Sequence, residues 1–206
     1  MTQLISLPMM VVVHPSLPAR TFKEFVVLAR THPGEISYGT PGVGTIQHVL
    51  GELIKQTMTI DLTHVPYSGM ALGMPALAGG HIVSMVANVF DAAPFVQTGK
   101  VRAIVVTGPA RSEVLPDVPT MREAGFPEFE AMNWGGFVVP AATPTAAVTR
   151  LNSELVRILK TPEIQDKFRV LGQSAVPSTP EQLASLLQSE SVRYSKTVKA
   201  AGIRAE

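Results

Sequence analysis

The sequence predicts an α/β fold, and three observations carry that prediction. Short β-prone runs alternate with runs of helical period from Thr21 to Thr107. Ser/Thr caps and glycine or proline stops punctuate those runs. Apolar residues make up 46% of the 206-residue chain against 16% charged, enough for a packed core and too little charge for a disordered chain.

The elements follow in order. Thr21, three residues before Glu24, opens a helix over 21–30 with Phe22, Phe25, Val26 and Ala29 at helical spacing. His32-Pro33-Gly34 stops it, and a strand over 36–40 runs into the glycine-rich turn Pro41-Gly42-Val43-Gly44. Ile46, Val49, Leu50, Leu53 and Ile54 then form an apolar stripe on a helix over 45–56. The alternation continues with strands over 62–65, 82–87 and 103–107 and helices over 70–77 and 92–97, so the sheet is parallel or mixed and covered by helices.

Residues 111–119 carry two prolines and read as an irregular connection near a lobe boundary. Thr120 and Glu123 form a second capping box on a short helix ended by Gly125. Beyond it the pattern gives a strand over 134–139, a helix from Thr143-Pro144 to about 160 and another over 162–171. Thr179-Pro180-Glu181-Gln182 starts a long terminal helix stopped by Gly202, expected to pack on the second lobe.

Composition excludes several functions. Lys plus Arg is 17 and Asp plus Glu is 16, so no global field draws the chain to nucleic acid or an anionic membrane. Cysteine is absent, which removes disulfides, thiolate metal sites and cysteine nucleophiles. His14, His32, His48, His64 and His81 lack zinc-site spacing, and no metal or other cofactor is expected. The nucleophile-elbow glycine-serine motif is missing, and the methionines scatter as core filler. The apolar start, residues 1–13, has no basic residue ahead of it, is interrupted by Pro8, and resembles neither a secretory signal nor a membrane span of about 20 residues.

The most informative segment runs from Tyr38 to His48. A strand enters a glycine turn that opens a helix, so free N–H groups converge where the helix dipole favours an anion. Thr40 and Thr45 hydroxyls supply further donors, Gly42 and Gly44 shape the turn, and His48 lies one helical turn on. Neither the dinucleotide fingerprint nor the P-loop ending is present, and the glycines alone fit a plain tight turn equally well. Only Lys55 is basic between Arg30 and Lys100, so an anion here is held by neutral donors. Tyr67, in Val65-Pro66-Tyr67-Ser68-Gly69, and Asn88 also lie at strand ends, where ligand groups and ordinary turns both occur. Trp134 reads as core rather than cleft wall.

In this order the residues resemble the substrate-binding proteins of the tripartite tricarboxylate transporter family, the Bug-type extracytoplasmic solute receptors. The matching pieces are Val11-Val12-Val13-His14-Pro15-Ser16-Leu17-Pro18, then Tyr38 to Thr45 with His48, and His64-Val65-Pro66-Tyr67-Ser68-Gly69. The stretch from Leu115 to Gly125, Trp134-Gly135-Gly136 and Lys199-Ala200-Ala201-Gly202-Ile203 complete them. The resemblance implies a two-lobed clamshell of the type II periplasmic-binding-protein kind that closes on a small carboxylate, without catalysis. It also implies a periplasmic location and delivery to the membrane components of a tripartite transporter. Thr40, Gly42, Gly44, Thr45, His48, Tyr67 and Asn88 would then face the ligand from the second lobe, largely through main-chain N–H groups, hydroxyls and water.

Two departures qualify that reading. The family carries an acidic residue in the strand that here reads Ile82-Val83-Ser84-Met85 and another near Asn88. Family chains also begin well before the position of Met1, so the expected content is a complete second lobe over 12–125, with 1–11 and 126–206 as part of the first. Exposed sheet edges would then favour weak binding or homodimerisation. The rival readings are a non-binding remnant or the ligand-sensing effector domain of a transcriptional regulator, though no basic face or helix-turn-helix is visible.

Overall fold

The computed structural model describes residues 1–204. Its elements in chain order are β1 (Thr2–Val13), α1 (Phe22–Thr31), β2 (Ser37–Thr40), α2 (Ile46–Met58), β3 (Thr63–Pro66), α3 (Met70–Ala78) and β4 (Ser84–Asn88). They continue with α4 (Val89–Gln97), β5 (Arg102–Val106), β6 (Met132–Phe137), α5 (Thr145–Leu159), α6 (Pro162–Val170), β7 (Ser174–Ala175) and α7 (Pro180–Ala200). The class is mixed α/β, as the alternation predicts.

The apolar start is a strand, which its sequence does not announce. Over Thr2–Pro8, β1 pairs antiparallel with β6, and Ile5 and Ser6 also meet β7. From Met9 to Val13 it pairs antiparallel with β4, and from Met10 with β5. One 12-residue strand thus serves two sets of partners. Pro8 has no N–H to give to a ladder, and it sits where the partners change, the place where that loss matters least.

The larger sheet has the order β3-β2-β4-β1-β5, with β2 parallel to both β3 and β4. Alternation along β1 feeds the two faces of this sheet. Met9, Val11 and Val13 pack with Phe22, Phe25, Leu50 and Ile54 of α1 and α2, whereas Met10 and Val12 pack with Met74, Leu77 and Ala92 of α3 and α4. Burial on both faces explains why Met9 to Val13 of β1 reads as a continuous apolar run instead of an alternating one.

One expected helix is absent. Both bonds of the Thr120–Glu123 capping box form, Glu123 N to Thr120 Oγ1 at 3.2 Å and Thr120 N to Glu123 Oε2 at 2.8 Å. The chain nevertheless makes only turns over 121–125, because Gly125 takes φ 92° after a single helical bond, Ala124 N to Thr120 O. The terminal helix does form, with both bonds of the Thr179 and Gln182 capping box, and near its end Gln56 Nε2 of α2 donates to Thr197 O at 3.5 Å. Trp134 is half-buried on β6.

Thr107 ties the junction together. Its fully buried hydroxyl accepts from Met9 N at 3.2 Å and donates to Ala131 O at 2.6 Å, just where β1 changes partners. Thr107→Val keeps the shape and leaves those groups unpaired, so we expect a loss of about 1–3 kcal/mol. Urea unfolding followed by circular dichroism measures it, and a midpoint equal to the wild type would contradict this role.

Candidate functional site

Because β2, β3 and β4 run parallel, their C-terminal ends at Thr40, Pro66 and Asn88 lie along one edge of the sheet, and α2, α3 and α4 all begin there. Helix starts carry N–H groups without partners in their own helix and the positive end of the dipole. The same edge is poor in cations: Lys55 is the only Lys or Arg between Arg30 and Lys100, and its ammonium lies 3.0 Å from Glu52 Oε1.

The glycine turn joins β2 to α2. Gly44 takes φ 76°, a left-handed conformation that side chains resist, with open space where a Cβ would stand. Thr45 is the N-cap, its hydroxyl accepting from His48 N at 3.4 Å and donating to Gly42 O at 2.8 Å. Ile46 and Gln47 occupy the first turn of α2, so their N–H groups have no acceptor within the helix. The glycine amides are engaged differently: Gly44 N donates to His48 Nδ1 at 3.2 Å, and Gly42 N reaches Thr40 Oγ1 at 3.4 Å. The N–H groups without an acceptor in the helix are therefore just beyond the glycines, on half-buried Ile46 and on Gln47, which is 5% exposed.

Under the turn, the imidazoles of His48 and His64 stack with centroids 3.9 Å apart and planes 10° from parallel. His64 Nε2 lies 2.7 Å from Thr40 Oγ1, and the Tyr38 ring lies 4.9 Å from that of His64. Burial lowers the pKa of His48, and burial together with the neighbouring His48 brings His64 down to about 4. Tyr38 donates its hydroxyl to Glu52 Oε1 at 2.6 Å; burial and that carboxylate push the phenol upward, so it stays protonated.

Thr40, Gly42, Gly44, Thr45 and His48 thus form one hydrogen-bonded unit. Tyr67 joins it through the backbone: Tyr67 N donates to Thr40 O and Gly69 N to Pro41 O, both at 3.0 Å. Its ring covers Gly39 and Gly73, and a Cβ at either would touch it. Asn88 is attached less directly. Its Oδ1 accepts from Gln47 Nε2 at 3.2 Å and Asn133 Nδ2 at 3.0 Å, and its Nδ2 donates to Asp91 Oδ2 at 2.9 Å. With 7% exposure, this amide braces α2 against β6, and burial raises the Asp91 carboxyl. Sequence reasoning did not single out Gln47, Asn133 or the stacking of His64. A separate cavity of about 360 Å³, lined by Pro8, Arg111, Ser112, Met132 and Arg169 among others, contains none of the expected site residues.

Comparison with known proteins places this geometry in a family. Residues 1–203 match the tripartite tricarboxylate transporter family receptor. A Pseudomonas sp. (strain P51) protein from the tcbD-tcbE intergenic region is 33% identical over 194 residues, covering 94% of this chain and 58% of its own length. The chain therefore spans little more than half of that relative. Among solved structures, Rpa4515 of R. palustris, described with adipate, superposes with TM-score 0.89 at 30% identity over 98% of this chain and 67% of its own. The periplasmic binding protein BugD gives 0.87 at 27%, over 100% and 69%. MatC (Rpa3494) of Rhodopseudomonas palustris, with bound malate, gives 0.84 at 30%, over 95% and 68%. With a family match over nearly its full length, and type II periplasmic binding proteins as its structural neighbours, the chain belongs to the tripartite tricarboxylate transporter receptor family.

Proposed function

We propose that this chain captures a small dicarboxylate or related organic acid as part of an extracytoplasmic solute receptor. The observation that carries the reading is the convergence of three helix starts on one cation-poor sheet edge, with the N–H groups of Ile46 and Gln47 unclaimed by their helix. Each exposed helix start contributes about 0.3–1 kcal/mol to anion binding, and up to ~2 when partly buried. Hydroxyls and ordered water supply the rest. Thr40, Gly42, Gly44, Thr45, His48 and Tyr67 shape the ligand wall, and Asn88 holds it in place. The adipate and malate described with two relatives support the substrate class.

In this reading residues 12–125 form one lobe and 1–11 with 126–206 belong to the other, with closure about the shared strand β1. The partner change between Pro8 and Met9 supports a division within β1 but sets it ahead of residue 12, because Met9, Met10 and Val11 pair with β4 and Met10 and Val11 also with β5. The loaded receptor presents its ligand to the membrane components of a tripartite transporter in the periplasm, without chemistry on the ligand. Exposed Leu151, Val170, Leu171, Leu187 and Val192 on and beside α5–α7 favour association of two copies.

Isothermal titration with malate, adipate and the cationic control putrescine tests the reading. Saturable binding of either acid and none of putrescine supports it; binding of neither acid contradicts it. Thr45→Ala removes the cap of α2 and its bond to Gly42, so affinity should fall about 5–10-fold while stability drops by about 1 kcal/mol. Unchanged affinity in the folded variant would move the seat elsewhere. Light scattering across a concentration series should show a concentration-dependent dimer, and a monomer throughout would remove the self-association.

A further inference from the structure

The stacked imidazoles beneath the glycine turn do work that the carboxylate reading does not assign. His48 Nδ1 accepts the Gly44 N–H, which only an unprotonated nitrogen can do. His64, 3.9 Å above it, takes the other end of the same turn through Thr40 Oγ1 at 2.7 Å. The remaining groups facing the pair are Tyr38 from β2 and Glu52 and Lys55 from α2. Glu52 receives both the Tyr38 hydroxyl and the Lys55 ammonium; it favours a proton on either ring, but burial outweighs it and both imidazoles are held below their ordinary pKa. A second positive charge at stacking distance is equally unfavourable.

We propose that His64 is a positioning residue of the anion seat: by stacking on His48 and bonding Thr40, it keeps the His48 acceptor turned to Gly44 N–H and so fixes the shape of the turn. His64 does not touch ligand in this scheme. It acts through His48 and Thr40, and the direction of its own ionisation agrees, burial holding it neutral down to about pH 4. Protonation of His48 would set two N–H donors against each other at Gly44 and loosen the turn. The proposal rests on the carboxylate reading for its purpose, yet its geometry is tested without ligand.

The test is nitrogen-edited NMR of the full chain from pH 8 to 4, in the wild type, His64→Ala and His64→Phe, with malate titrations at pH 7. In the wild type the His48 ring should titrate below 6.5, the Gly44 amide proton staying downfield until it does. His64→Ala uncovers the His48 ring, so it should raise that midpoint, move the Gly44 amide upfield and weaken malate about 5–10-fold. His64→Phe keeps the stack, so the midpoint stays low and affinity falls only about 2–3-fold with loss of the Thr40 bond.

A folded His64→Ala with unaltered Gly44 and His48 signals would overturn the proposal. Should that variant fail to fold, His64→Phe decides alone: Thr40 and malate signals identical to wild type would overturn it. If the ligand-free signals shift as stated but malate binds no form of the chain, the carboxylate reading falls and the positioning role stands.

Discussion

Three parallel strands that stop side by side force three helices to start side by side, and the site depends on that constraint of chain direction. Each helix start brings N–H groups that its own backbone cannot satisfy. At α2 the Thr45 cap takes one of them, from His48, and leaves those of Ile46 and Gln47 without an acceptor in the helix. With Lys55 paired to Glu52, an anion seat of the kind proposed depends on geometry: a donor array of fixed partial charges works only while its orientation is held. The left-handed Gly44, the Thr45 cap and the imidazoles below hold it.

The same chain links this edge to the rest of the molecule through β1. Its first half belongs with β6 and β7 and its second with β4 and β5, so the chain passes from one set of partners to the other at Pro8 and Met9, and again between Ala131 and Met132 at the start of β6. Beside that point the Asn88 amide joins Gln47 of α2 to Asn133 of β6. An amide with both oxygen acceptor sites and one N–H engaged inside the protein serves as a brace, and this one connects the turn to the far side of the partner change.

What could be read in the sequence was local. The glycine turn, the Thr45 cap and the helices α1, α2 and α7 are set by neighbours within a few residues, and they stand close to where the residues put them. β1 was not legible, because an apolar run broken by proline lacks strand alternation, and its partners lie as far away as residue 137. The Thr120 capping box was legible but incomplete as a signal: it specifies a first turn, and Gly125 allows no second. The meeting of His64 with His48 needs the register of β2 on β3, and the Asn88 contacts span 41 and 45 positions. Nothing local encodes such pairs. The family likeness was readable because it rests on an ordered set of short motifs along the whole chain, and the match over residues 1–203 agrees.

The central claim is that an acid is gripped by the uncharged amides that open α2. Amide proton shifts of Ile46 and Gln47, followed by NMR as malate is added, test it most directly. The account predicts saturable downfield movement of both, with smaller changes at Gly42 and Gly44, whose N–H groups already have acceptors. Saturable binding of malate that leaves Ile46 and Gln47 in place while shifting a separate set of residues would contradict it.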